Sequence, residues 1–429
     1  MKNIFTGIFL LVSACFMQAQ TPNYYRNPDK IYLDSKEGHN GSFTWQMHKA
    51  DETKDPAEKI SQPGYQTGKW MPAIVPGTVL NSLVHNKMYP EPYYGMNNKL
   101  DRNIIPDLAK TGREFYTYWF RTEFDVPENY KDKIVWLQVD GINYRAEIWV
   151  NGYLLGNMSG MFKPEYINIT DFARIGQKNA LAIKVYPVDM PGTIKPKQWG
   201  AAGEFHNGGD GNIGLNTTML MSVGWDFTFN DGIRDRNTGI WKNISLYATD
   251  KAVIRHPFIK SELSKPNYDL AKETVSVEVT NPTQRGIKCT VKGEIIGENI
   301  TFSKDLNLFR GETKEICFTP EEFPQLTIKN PRLWWPKGYG SPYLYDANFT
   351  FKVGDKVSDS EDFKVGIRQM TFNENNSILS LFINGRRFIG RGGNWGFGES
   401  NLNYRGREYD IAVAYHADMN FTMMRNWVG

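Results

Sequence analysis

From Tyr116 onward, apolar and polar residues alternate along most of the chain, the period of a strand with one face buried. Ile134-Val135-Trp136-Leu137-Gln138-Val139 runs into Asp140-Gly141, after which Ala146, Ile148 and Val150 alternate with Arg145, Glu147 and Trp149. Asn151-Gly152 then precedes Tyr153-Leu154-Leu155-Gly156. An Asn-Gly pair between two strand-like runs marks a tight hairpin, because both turn residues take positive φ. Leu181, Ile183 and Val185 alternate again, as do Ile240, Lys242, Ile244 and Leu246. Residues 21–249 are therefore expected to form a β-sandwich of the jelly-roll kind.

A second β unit is expected over residues 250–368. Val275, Val277 and Val279 alternate and Asn281-Pro282 ends their strand. Ile287 to Ile296, Thr313 to Thr319, Tyr343 to Val353 and Phe363 to Arg368 supply further strands. Strands this short and this closely spaced predict an immunoglobulin-like sandwich. The pattern changes over residues 369–429. Leu379 to Ile383 meets a second Asn-Gly turn at Asn384-Gly385, followed by Arg387-Phe388-Ile389. Arg405 to Ala417 reads as a helix with Ile411, Ala414 and Tyr415 on one side, and Phe421 to Met424 as a compact apolar strand. Strand, helix, strand is the opening of a (β/α)8 TIM barrel, which needs eight strands and about 250 residues to close. The expected class is mainly β: two sandwiches, then an incomplete barrel start.

The first 20 residues read as a signal peptide. Lys2 gives the positive start, Ile4 to Met17 the apolar stretch, and Gln18-Ala19-Gln20 a small-residue cleavage site. The apolar run is short for a bilayer and no later one competes, so no transmembrane helix is expected. Val12-Ser13-Ala14-Cys15 also resembles a bacterial lipobox, which would lipidate Cys15. Either reading makes the protein exported, periplasmic or extracellular. After cleavage only Cys289 and Cys317 remain, read as small buried side chains in a sandwich core, with a disulfide permitted by the compartment.

Composition excludes little. Mean hydropathy is −0.50 and net charge +3 in 429 residues, with no block of like charge to attract nucleic acid. Aromatic content of 14% suits sugar binding and large sandwich cores equally.

Several runs, in order, resemble glycoside hydrolase family 2, in the branch holding β-mannosidases, exo-β-glucosaminidases and plant-type endo-β-mannosidases. They are Val75-Pro76-Gly77-Thr78-Val79-Leu80, Pro92-Tyr93-Tyr94-Gly95-Met96-Asn97, Tyr116-Thr117-Tyr118-Trp119-Phe120 and Ala146-Glu147-Ile148-Trp149-Val150-Asn151-Gly152. Gly224-Trp225-Asp226-Phe227 then leads to Arg234-Asp235-Arg236-Asn237-Thr238-Gly239-Ile240-Trp241. Pro331 to Pro336, Val365-Gly366-Ile367-Arg368, Gly392-Gly393-Asn394-Trp395 and His416-Ala417-Asp418-Met419-Asn420 complete the series. The resemblance makes residues 21–249 a sugar-binding jelly-roll domain and implies a retaining β-glycosidase acting on β-mannosides in glycans or oligosaccharides, without cofactor. An exo-β-glucosaminidase is the alternative within the family, and a non-catalytic glycan-binding module the alternative outside it. Two departures bear on specificity: Phe227 stands where relatives often carry Trp, and Arg425-Asn426-Trp427-Val428-Gly429 where they often read Arg-Cys-Trp-Gly.

A retaining glycosidase needs two carboxyl groups about 5–5.5 Å apart. The resemblance places both on later barrel strands, beyond Gly429, so the chain alone is expected to be inactive. Asn373-Glu374 precedes the barrel and is read as a loop. The resemblance carries over part of a substrate subsite: Asp226 from the first sandwich, Asn394 and Trp395 after barrel strand one, Arg425 and Trp427 after strand two. A Trp face stacks on the C–H face of a sugar, and Arg and Asp exchange hydrogen bonds with hydroxyls. The rival account is that the Trp residues pack against the sandwiches and that Asp226 caps a turn.

Other patterns carry less. Gly209-Asp210-Gly211-Asn212-Ile213-Gly214 fits a dinucleotide fingerprint, but neither follows a strand nor opens a helix. Asn207, Asp210 and Asn212 offer oxygens for calcium without the spacing of a known loop. Six scattered His residues give no zinc pair, and there is no Gly-x-Ser-x-Gly elbow.

Overall fold

The computed structural model describes residues 27–39, 41–99, 101–191, 232–395, 402 and 407–426. The leader and Cys15, the run 207–214, Asp226 and Trp427 lie outside the described residues. Among the described residues no helix is long and apolar enough to cross a membrane.

The first unit contains β1 (Ile31–Tyr32), β2 (Trp45–Lys49), β3 (Met71–Pro72), β4 (Gly77–Thr78), β5 (Tyr118–Asp125) and β6 (Ile134–Val139). It continues with β7 (Arg145–Val150), β8 (Tyr153–Ser159), β9 (Glu165–Asn168), β10 (Lys178–Tyr186), β11 (Gly239–Ile240) and β12 (Ile244–Thr249). A six-stranded sheet ordered β3-β2-β5-β10-β7-β8 packs on a four-stranded one ordered β1-β12-β6-β9, and all neighbours are antiparallel. Phe120, Ile148 and Ile183 from the first sheet share one core with Leu137, Val139 and Leu246 from the second. The expected alternation is visible in β7, where Ala146, Ile148 and Val150 are buried and the residues between them half-buried. Asn151 and Gly152 take φ of 51° and 95°, the left-handed pair that a two-residue hairpin requires.

Residues 27–115 hold elements that no periodicity announces. Strands of two residues have no period, and α1 (Val79–His85) and α2 (Leu108–Thr111) are short. Caps mark the helices instead: the Thr78 side chain accepts from the Asn81 amide at 3.1 Å, and Asp107 from the Ala109 amide at 3.0 Å. Behind them lies a buried polar cluster. Asp107 meets Arg236 through two hydrogen bonds of 3.0 and 3.2 Å and lies 3.7 Å from Arg234, and both arginines are at most 2% exposed. Asp235 accepts from the amides of Leu80 and Asn237. Burial pushes its carboxyl up to about 6 against those bonds.

Ser358 anchors the start of the second unit, just past β12: its hydroxyl accepts from the Lys251 and Ala252 amides and donates to the Ala252 carbonyl. Nearby the Arg255 guanidinium lies over the rings of Trp136 (4.5 Å) and Tyr166 (4.2 Å) and donates to the Tyr247 hydroxyl.

The second unit is built from β13 (Val253–Leu263), β14 (Leu270–Thr280), β15 (Ile287–Ile296), β16 (Ile300–Leu308), β17 (Thr313–Phe318), β18 (Thr327–Lys329), β19 (Tyr345–Val353) and β20 (Lys356–Val365). Sheet β13-β14-β17, with β18 also on β14, closes over sheet β16-β15-β19-β20 around Val277, Phe318, Phe349 and Phe351. The last strand starts at Lys356 rather than Phe363, because a mostly polar run extends the edge pairing with β19. Cysteine burial is corrected in part. Cys289 is buried, but Ile316 and Phe318 take the inward positions of β17, which turns Cys317 outward, and both thiols are free.

Glu273 on β14 is 0% exposed. One carboxylate oxygen accepts from Ser261 at 2.7 Å, the other has no hydrogen bond, and burial raises the carboxyl from 4.5 to about 7. The fold therefore favours the protonated form, and its stabilising contribution, complete below pH 4.5, is lost as pH rises through 7. Glu273→Gln is expected to raise the melting temperature at pH 8 and to change it much less at pH 5. Equal shifts at both pH values would reject the charge-burial account.

Beyond Val365, β21 (Met370–Asn375), β22 (Ile378–Ile383) and β23 (Arg386–Phe388) form an antiparallel sheet, its second turn again an Asn-Gly with φ of 48° and 73°. Asn373 and Glu374 are therefore in a strand, opposite Ser380 and Leu379, not in a loop. The helix α3 (Arg407–Asp418) forms as expected, but Ile411 and Tyr415 are exposed and its half-buried side is Ala412, His416 and Ala417.

Candidate functional site

Two strands flank α3: β24 (Gly392–Trp395) and β25 (Met423–Asn426). They pair in parallel, Gly392 opposite Met423 and Asn394 opposite Arg425. Such a pair needs a crossover, which α3 supplies. Close approach explains a glycine: a Cβ on Gly392 would collide with the Met423 carbonyl oxygen. Because the strands run the same way, Asn394 and Trp395 end β24 beside Arg425 and Asn426 ending β25.

The side chains at this end are held locally. Arg425 donates from Nη1 to Asn394 Oδ1 at 3.2 Å, and both residues are exposed. Trp395 is half-buried, its ring edge-on to His416 at 5.5 Å and tilted against Tyr409 at 6.4 Å. His416 in turn meets Phe421 at 5.1 Å and donates from Nδ1 to the Ala412 carbonyl, 2.7 Å away. One edge of Trp395 is thus fixed by α3. A fork of guanidinium donors and an indole at the carboxyl ends of parallel strands can receive a polyhydroxylated ring, the place where ligands bind in barrels.

Three of the five sequence candidates, Asn394, Trp395 and Arg425, are brought together; Asp226 and Trp427 lie outside the described residues. His416 and Tyr409 were not singled out. The i, i+7 spacing of these two rings on α3 was the available signal.

The glycosyl hydrolase 2 galactose-binding domain-like family model matches residues 45–242, and that of glycosyl hydrolases family 2 matches residues 252–368. The mannosylglycoprotein endo-beta-mannosidase of Lilium longiflorum is 35% identical over 379 residues, 86% of this chain and 38% of that protein. The exo-beta-D-glucosaminidase of Streptomyces avermitilis is 26% identical over 346 residues, 80% of this chain and 34% of that protein. Among solved structures, the exo-chitosanase of Amycolatopsis orientalis superposes with a TM-score of 0.69 at 22% identity, covering 90% of this chain and 40% of that one. The chain thus spans well under half the length of these relatives.

Proposed function

The chain belongs to glycoside hydrolase family 2, and from that premise we propose that it is the N-terminal portion of an exported, retaining β-glycosidase that hydrolyses β-mannosides. The observation that carries the sugar is the 35% identity to the lily endo-beta-mannosidase, against 26% to the Streptomyces avermitilis exo-beta-D-glucosaminidase. The second reading, an exo-β-glucosaminidase, draws on the several relatives of that name and on the exo-chitosanase fold match.

In this reading β24, α3 and β25 begin a (β/α)8 barrel, the nucleophile and acid/base come from later strands, and neither role falls to a residue of this chain. Asp226, Asn394, Trp395, Arg425 and Trp427 form part of the subsite that receives the sugar. A binding module that ends with the sandwiches is less well supported. Phe372, Ile378 and Leu379 on the β21–β22 hairpin are 74%, 63% and 61% exposed, a patch that calls for cover.

The deciding experiment compares aryl β-mannoside and aryl β-glucosaminide hydrolysis by the 429-residue chain and by the full-length protein. The chain alone is expected to give no turnover above a mock-purified control. The full-length protein is expected to favour the mannoside by at least about tenfold in kcat/KM, the discrimination one well-placed polar contact supplies. The reverse preference would reassign it as a glucosaminidase, and turnover by the 429-residue chain would refute the location of the carboxylates.

A further inference from the structure

Between β18 and β19 the chain is irregular and aromatic, carrying Trp334, Trp335, Tyr339 and Tyr343. Two hydrogen bonds tie this segment to the β22–β23 hairpin. The Asn384 side chain donates to the Trp334 carbonyl at 3.0 Å, and the Tyr339 hydroxyl accepts from the Ile389 amide at 2.8 Å. Within the segment the Trp335 amide donates to the Ser341 carbonyl at 3.0 Å. The turn this closes is tight enough that a Cβ on Gly340 would collide with the Trp335 ring. Segment and hairpin together enclose a cavity of about 410 Å³, within the usual range for small-molecule sites.

The charged side chains lining it are Arg332 from the segment and Arg386 at the start of β23, and no carboxylate among the described residues lines it. Each guanidinium lies over an aromatic ring, Arg386 at 4.9 Å from Trp335 and Arg332 at 3.9 Å from Tyr343. A ring occupies one face of a guanidinium and leaves the N–H donors along its edge available. Among the described residues Arg386 makes no hydrogen bond or ion pair. Arg332 reaches a carboxylate only at 3.6 Å, that of Glu298, which stands outside the lining. Ser341, exposed in the same lining, adds a hydroxyl donor.

Two positive charges with no negative one in the lining favour an anion. Guanidinium forks match the oxygens of phosphate and sulfate in pairs. Two forks and a hydroxyl also offer more donors than the two oxygens of a carboxylate can use, whereas a tetrahedral oxyanion has an oxygen for each. The rings hold both forks before a ligand arrives, so less side-chain freedom is lost on binding. From this unbalanced lining and its unspent donors we propose that the cavity binds the oxyanion of a phosphate or sulfate, free or as a monoester. The site uses no residue of β24 or β25 and goes beyond the glycosidase reading. Its test reads no turnover, so the two readings fail separately.

Calorimetric titration of the full-length protein at constant ionic strength tests this, with inorganic phosphate, inorganic sulfate and phenyl phosphate as separate titrants and sodium chloride as the control. Saturable binding of at least one oxyanion is expected, and binding of phenyl phosphate alone would assign the site to a monoester. Arg386→Lys keeps the charge and removes the fork. It should weaken binding about tenfold or more, the loss expected for a hydrogen bond between charged groups. Arg310→Ala, in the exposed turn after β16, should leave the affinity within about twofold, since a contact never made contributes nothing. If Arg386→Lys melts at a lower temperature, Arg332→Lys replaces it and should weaken binding likewise. Ser341→Ala, which removes one exposed hydroxyl, should weaken binding whichever arginine is tested. No saturable heat from any oxyanion at millimolar concentrations, or equal heat from chloride, overturns the proposal. So does oxyanion binding that both lysine variants leave intact.

Discussion

Asp107→Ala is expected to destabilise the first sandwich more than any other single substitution considered. Two arginines at most 2% exposed depend on this carboxylate, Arg236 through two hydrogen bonds and Arg234 at 3.7 Å. Removing one partner of a buried ion pair costs about 3–5 kcal/mol, because the remaining charge is left without compensation. Here two arginines lose that carboxylate, while Arg236 keeps its electrostatic interaction with Asp235 and Arg234 its bond to the Asn98 carbonyl. The lost N-cap of α2 adds about 1 kcal/mol. At about 2–4 °C per kcal/mol for a domain of this size, the melting temperature should fall by roughly 10 °C or more. Arg236→Ala should also be costly, since that guanidinium additionally donates to the carbonyls of Pro191 and Ile233. The double variant should lose less than the sum, because the two changes remove one shared interaction. A fall of under 2 °C for Asp107→Ala would show that Arg234 and Arg236 are held by their backbone acceptors alone.

That cluster also shows where the sequence could not be read. Arg234-Asp235-Arg236-Asn237 is four polar residues in a row, and local polarity assigns such a run to an exposed loop. The tertiary position of Asp107, 129 residues from Arg236, together with backbone partners such as the Pro191 carbonyl and the Leu80 amide, makes its burial tolerable. By contrast, both Asn-Gly hairpins were legible, because their backbone demand is local. The long strands of both sandwiches were legible because one face of each is buried on a continuous core. Of the candidate site, strand, helix and strand came from periodicity, and the roles of Asn394, Trp395 and Arg425 from family resemblance alone. Pairing in register then brought Asn394 to Arg425. The inward side of α3 was misjudged since Ile411 and Tyr415 are apolar, whereas Trp395 packs against His416 and Tyr409.

In the full-length enzyme, Arg425→Ala is expected to lower kcat/KM by about tenfold to a few hundredfold, with Asp226→Ala producing a loss of the same order. Arg425 ends β25 exposed, with Nη1 on Asn394 Oδ1. In the proposed subsite its guanidinium donates to sugar hydroxyls while Asp226, reaching in from the first sandwich, accepts from them. Charge-assisted hydrogen bonds contribute about 1.5–3 kcal/mol each, and about 1.4 kcal/mol corresponds to a decade of rate. If the bonds strengthen as the ring distorts toward its oxocarbenium-like transition state, kcat falls along with kcat/KM. Folding should barely notice Arg425→Ala, because an exposed side chain at a strand end supports little of a core. The competing account makes Arg425 a brace for Asn394, and it expects a lower melting temperature with near-normal kinetics. Asn394→Ala separates the two further. If Asn394 only orients the guanidinium, its loss should cost less than that of Arg425, and Arg425→Lys should recover part of the rate by restoring a cation without the fork. A lysine variant as slow as the alanine one would still be compatible with bidentate binding. Wild-type kinetics in Arg425→Ala would remove the residue from the subsite altogether.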